Sequence, residues 1–168
     1  PIPYSPHLVK TADKISHQLE PYVAIHWRME RLEPTTNLVP CAHDLVEKVK
    51  RLGISNVFLL TDYPHLLNTP GAKPESSSFH PNQLKAAHHR AIRYVYQQLN
   101  VTLTAASDPS LPNLPWQLVP VNTENDQSVL GIIDKLVALK AQYFLAGEPG
   151  VCAKSSSFTG GISLYRSN

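Results

Sequence analysis

The chain reads as a three-layer α/β domain with a mostly parallel sheet of about four strands, Rossmann-like in arrangement. Three observations predict it. Tyr22–Trp27 and Asn56–Thr61 are short, nearly continuous apolar runs, the pattern of strands buried on both faces. Helical spacing precedes each run, so the two strands are expected to be parallel neighbours. Each run then ends abruptly in polar residues, His26 and Arg28 in the first and Thr61-Asp62 in the second. Strands of an open α/β sheet end this way when their tips carry a site.

The elements follow in order. His7–Glu20 places Leu8, Ala12, Ile15 and Leu19 on one stripe, with Ser5-Pro6 as a cap and first-turn proline and Pro21 as a stop. After the first strand, residues 32–40 read as a loop. Cys41–Leu52 is helical through Leu45, Val46, Val49 and Leu52, and Gly53 is a C-terminal stop. A long loop over residues 63–78 follows the second strand, rich in Pro, Gly and Ser, and loops of that length are usually functional or mobile. Pro81–Leu99 reads as a third helix, in which His88 shares a face with Ile92 and is expected to be a packed histidine. Val101–Thr104 and Trp116–Val119 are short candidate strands. Asp126–Ala141 is a helix with Val129, Ile132, Ile133, Leu136 and Leu139 inside, and Tyr143–Ala146 is a last strand. A final helix is expected over Ser155–Arg166.

Composition narrows the class. A chain of 168 residues suits one domain, and 42% apolar with 17% charged residues indicates a globular protein. A net charge of +2 without a basic run argues against general binding to nucleic acid or to membrane surfaces. No run reaches the length of a membrane span. Pro1 opens no signal peptide, and the absence of an initiator Met suggests a processed or excised chain. Cys41 and Cys152 neither demand nor exclude a disulfide. Asn100-Val101-Thr102 is an N-glycosylation acceptor, relevant only in a secretory compartment.

Four groups of residues could carry chemistry. On an extended backbone His26 and Arg28 share a side and Trp27 takes the other. A structural alternative pairs Arg28 with Glu30 or Glu33. Ser155-Ser156-Ser157-Phe158 offers hydroxyls and unpaired N–H groups at a helix start, suited to phosphate, or is an ordinary cap. Arginine grips a diphosphate bidentately and keeps its proton. Asp134 interrupts an apolar helix. A carboxylate can accept two hydrogen bonds from guanine, though Asp134 could equally be solvated beside Lys135 or paired within its helix. Asp62 is the second carboxylate at the strand tips and could instead cap the following loop. Neither a Walker A loop nor Gly-x-Gly-x-x-Gly occurs. The residues alone lead to a phosphate or nucleotide site.

The strand ending Ile25-His26-Trp27-Arg28, the strand ending Leu60-Thr61-Asp62, and the segment Ile133-Asp134, Tyr143-Phe144, Ser156-Ser157-Phe158-Thr159 and Ile162 resemble three motifs of the GDP-fucose-dependent fucosyltransferases. The protein O-fucosyltransferase branch is the nearest likeness, over roughly residues 8–166. The resemblance implies the C-terminal, donor-binding half of a GT-B glycosyltransferase, with residues 1–168 as one nucleotide-sugar-binding domain and the N-terminal half missing. It implies that GDP or GDP-fucose binds here, that Arg28 is the catalytic cation holding the β-phosphate of the leaving GDP, and that His26 lines the same pocket. Asp134 would read guanine, while Ser156, Ser157 and Phe158 would meet the diphosphate. Asp62 matches the middle motif as a further substrate-binding residue. Inverting chemistry without a metal or other cofactor is implied, as is a secretory location. The chain alone is expected to bind weakly and to turn over little or nothing. The segment between Phe144 and Ser156, with Glu148-Pro149-Gly150, is longer than the family's. A non-catalytic binding domain, or a transferase for another nucleotide sugar, is the alternative.

Overall fold

Parallel strands that are apolar on both faces are stable only between two layers of helices. The computed structural model, which describes residues 5–29, 34–63, 84–106, 115–123, 126, 128–147 and 152, has this arrangement. Its helices are α1 (Pro6–Leu19), α2 (Leu38–Arg51), α3 (Ala86–Gln98) and α4 (Ser128–Leu139). Its strands are β1 (Tyr22–Trp27), β2 (Asn56–Thr61), β3 (Asn100–Ala105), β4 (Gln117–Pro120) and β5 (Tyr143–Ala146). They form one all-parallel sheet in the order β4-β3-β2-β1-β5, five strands where about four were expected.

The strand pleat divides the core in two. Val23, Ile25, Trp27, Val57, Leu59, Val101 and Leu103 pack with α2 and α3. Tyr22, Ala24, Phe58 and Leu60 pack with α1 and α4 on the opposite face. Phe58 and Tyr22 are wholly buried there. The Tyr22 hydroxyl bridges Ser16 Oγ (3.1 Å) and the Val137 carbonyl (2.5 Å), which ties α1, β1 and α4 together without leaving a buried polar group unmet.

Helix boundaries depart from the expected ones where proline is involved. α2 begins at Leu38, before Pro40, and takes in part of the expected loop. Proline in a first turn forfeits no helical hydrogen bond, because the N–H groups there have no partner within the helix. α3 begins at Ala86, not at Pro81. Lys85 before it is extended, and its backbone N–H donates to His88 Nδ1 at 3.0 Å. α4 begins at Ser128. Asp126 precedes it, and its Oδ1 accepts from Ser128 N (3.0 Å) and Ser128 Oγ (2.7 Å). Gly53 ends α2 in the left-handed region (φ 71°), as its position after the helix suggested. The expected last helix lies outside the described residues.

Cys41, in the second turn of α2, forms a disulfide with Cys152 beyond β5. The Trp27 indole Nε1 donates to the Cys152 carbonyl at 2.8 Å, so Cys152 is fixed both to α2 and to the end of β1. The bond spans 111 residues of sequence. Closing a loop of that size removes unfolded-chain entropy worth about 4–5 kcal/mol in the chain-entropy model, and removing a native disulfide typically costs about 2–5 kcal/mol. Urea unfolding of Cys41→Ser/Cys152→Ser against the oxidised parent is expected to show a loss in that range. Equal midpoints would mean that the Cys41–Cys152 bond contributes nothing to global stability.

Candidate functional site

The order of the strands locates the site. The chain moves outward from β1 through β2 and β3 to β4, then α4 carries it back past β1 to β5. The sheet therefore reverses direction between β1 and β5, and a crevice outside the C-terminal ends of these two strands is where open α/β folds bind ligands. His26 pairs with Ala146 across this junction, and Gly147 N donates to the His26 carbonyl at 3.3 Å. Arg28 follows directly. Two of the residues singled out in the sequence thus stand at the switch point.

The end of β1 is held at successive backbone groups. Thr61 Oγ1 donates to the Trp27 carbonyl at 3.0 Å. Asp62 Oδ1 accepts from the Met29 N–H at 2.7 Å, and Asp62 Oδ2 lies 4.0 Å from Arg28 Nε. His88, buried at the start of α3, lies close to the backbone at Met29, on the α2/α3 side of the sheet. Met29 is itself fully buried and belongs to the α2/α3 core. Arg28 is therefore flanked by two fixed, buried residues, while 30% of its own side-chain surface reaches solvent. A cation in such a setting is pre-positioned for an anion. Its rigidity comes from Asp62, whose side chain is 9% exposed.

Asp62 thus braces the Arg28 strand exit. Tyr63 N donates to Thr61 Oγ1 at 3.1 Å, and the loop that Asp62 could cap lies outside the described residues. The expected alternative partners Glu30 and Glu33 lie outside the described residues. His26 continues the α1/α4 side of β1 and is mostly buried. Desolvation by that burial, assisted by the positive charge of Arg28, lowers its pKa from 6.5 to about 4, so the imidazole is neutral at physiological pH.

Asp134 sits half-buried on α4, where it accepts a hydrogen bond from Thr104 Oγ1 of β3. It is neither simply solvated nor paired only within its helix. The register places His26 beside Leu60, and Thr104 occupies the next strand over at the matching level. At a strand spacing of about 4.8 Å, His26 and Thr104 stand about 10 Å apart on the same sheet face. The structure thus brings Arg28, Asp62 and His26 together and sets Asp134 two strands away along one edge. Ser156, Ser157 and Phe158 lie outside the described residues.

Two functional contacts escaped the sequence reading. His88 was legible only as a packed histidine, because its approach to the Met29 backbone depends on how α3 packs over the sheet. The Cys152 carbonyl, which receives the Trp27 indole, carries no side-chain signal at all. Among the described residues, no group of three or more His, Cys, Asp or Glu side chains could hold a metal ion, and no helix is long and apolar enough to cross a membrane. A hollow of about 780 Å³ runs along α1, lined by residues including Lys10, Lys14 and His17 and by none of the strand-tip residues. No family model and no curated protein matches the chain.

Two outcomes are expected. A folded-state pKa near 4 against 6.5 in the unfolded chain means that protonation opposes folding. The contribution of neutral His26 is complete above pH 6.5 and is lost as pH falls toward 4. Between pH 7 and pH 4 the parent should lose about 3 kcal/mol more stability than His26→Gln in parallel urea titrations. Matching pH profiles would refute the assignment. Asp62→Ala removes the acceptor of a partly buried N–H and should cost about 1–3 kcal/mol, whereas Asp62→Asn, which keeps an acceptor oxygen, should cost less. Thermal melts compare the two directly.

Proposed function

We propose that this chain is a GDP-fucose-binding domain of a fucosyltransferase-like glycosyltransferase, inverting and metal-independent, in which Arg28 holds the donor diphosphate. One observation carries the reading. At the switch point of a parallel sheet, an arginine braced by Asp62 projects from a fixed strand exit toward solvent. A guanidinium so held meets a diphosphate without reorganising. It can take up the negative charge that grows on the β-phosphate as the fucose C1–O bond breaks and the acceptor hydroxyl bonds to C1. Neutral His26 beside it can share a hydrogen bond with the donor without adding a second, competing cation.

Other features support the same reading. Cys152 is anchored at the end of β1 through Trp27, and the phosphate-suited Ser156-Ser157-Phe158 follows it by four residues in the sequence. In this reading Asp134, two strands farther along the Arg28 edge, meets the base. In this reading the acceptor and part of the donor are held by the N-terminal half of a GT-B enzyme, so residues 1–168 bind GDP weakly and turn over little or nothing. The disulfide suits an oxidising compartment and thus a chain of the secretory pathway. The Thr104–Asp134 hydrogen bond favours a second reading, in which Asp134 serves the fold and the domain binds diphosphates without base selectivity, or without catalysis.

Calorimetry with GDP, GDP-fucose, ADP and UDP separates these readings. The guanine nucleotides are expected to bind preferentially, and Arg28→Ala should weaken them by about 10- to 150-fold, the value of hydrogen bonds to a charged group. Asp134→Asn keeps an oxygen for Thr104 but loses an acceptor for guanine, so it should erase the preference for GDP over ADP and spare diphosphate affinity. Equal affinity for all four nucleotides, or GDP binding indifferent to Arg28→Ala, would sink the proposal.

A further inference from the structure

We infer that Asn100 is a site of N-linked glycosylation, placed at the sheet edge opposite the Arg28 crevice. Asn100-Val101-Thr102 is the only Asn-x-Ser/Thr triplet in the sequence whose middle residue is not proline. The fold gives its acceptor residue a specific setting. Asn100 is the first residue of β3 and is exposed, at the N-terminal edge of the sheet. It pairs in register with Asn56, the first residue of β2, which pairs with Tyr22 at the start of β1. Because all the strands are parallel, this edge lies a full strand length from the tips that carry Arg28 and Asp62.

The local hydrogen bonding is compatible with the modification. Asn100 Nδ2 donates to Asn56 Oδ1 at 2.7 Å, and Asn56 Nδ2 donates to the Leu19 carbonyl at 2.9 Å. Glycosylation leaves one hydrogen on Nδ2, which is sufficient for the Asn56 bond to persist. The nearby chain ends in polar, exposed groups: Gln98 of α3 accepts from Lys50 Nζ at 2.8 Å. Thr102, by contrast, is 2% exposed and faces Gln117 of β4. Its hydroxyl is therefore reachable by the transferring enzyme only before the sheet forms, which is when such transfer takes place on an emerging chain. Val101 is buried as well, so the triplet is closed once folded and only the Asn100 side chain still faces solvent.

The step itself is a displacement. Asn100 Nδ2 bonds to C1 of the first N-acetylglucosamine of a polyprenyl-diphosphate oligosaccharide. The C1–O bond to the diphosphate breaks, the diphosphate leaves with that electron pair, and Nδ2 gives up one proton to a base of the transferring enzyme. The donor is supplied by the secretory compartment, to which the Cys41–Cys152 disulfide independently points. The inference does not depend on the ligand of the Arg28 crevice.

The test reads the Asn100 peptide of the protein purified from the cells that make it, after release with peptide-N-glycosidase F in heavy-oxygen water. Conversion of Asn100 to a heavy-oxygen-labelled Asp, with a gel-mobility shift abolished in Asn100→Gln and Thr102→Val and retained in Thr102→Ser, is the expected result. An unmodified Asn100 peptide from folded protein with the Cys41–Cys152 bond intact would overturn it. So would a glycan shift that survives Asn100→Gln. GDP binding by the enzymatically deglycosylated protein should match that of the glycosylated form, and a marked difference would contradict the placement away from the crevice.

Discussion

The carboxylate of Asp62 is the contact on which the ligand edge depends. One oxygen receives the Met29 N–H and the other faces Arg28, so a single side chain at the end of β2 fixes both the backbone and the charge at the end of β1. The pair is not worth much as a salt bridge, since the guanidinium is partly solvated and the separation is 4.0 Å. Its value is geometric. The Met29 N–H would otherwise be left in a largely dry position, and the strand exit would lose the constraint that aims Arg28. The neighbouring contacts, Thr61 to the Trp27 carbonyl and His88 to the Met29 backbone, hold the same few residues from other directions.

Much of this architecture was legible in the sequence. Tyr22–Trp27, Asn56–Thr61 and Tyr143–Ala146 were read with the bounds they have in the structure; for the first two, burial on both faces leaves a continuous apolar run that local inspection can find. The short edge strand β4 was shifted by a residue, Gln117–Pro120 instead of Trp116–Val119. One partly exposed edge strand gives no sustained pattern. Helix starts were less legible near prolines, as Pro40 within α2 shows, since proline stops a helix in its middle but is accepted in its first turn.

The site was legible as a list of residues but not as an arrangement. His26, Arg28 and Asp62 could be picked out as polar groups at the ends of apolar runs. That Asp62 supports Arg28 follows only from the β1–β2 register, and that these tips flank a switch point follows only from the position of β5 beside β1. Asp134 shows the same limit. Its interruption of an apolar helix marked it as unusual, but Thr104, 30 residues away, is the partner that its helix crossing supplies. Likewise the pairing of Cys41 with Cys152 over 111 residues is a property of the fold and not of the spacing. His26 gained a charge state in the same way: burial beside Arg28 keeps the imidazole neutral, which no neighbour in sequence other than Arg28 could have indicated.

The two outer strands, β4 and β5, are each four residues long, and β4 ends in Pro120. An incoming chain would find only a short ladder on either flank, and on the β4 side one backbone donor is missing altogether. Such a sheet resists being lengthened by a stranger's strand, and so resists the edge-to-edge aggregation to which open sheets are prone. Recognition is left to the places where the backbone is already satisfied and side chains do the selecting: the strand tips, the helix faces and the polar rim around Asn100.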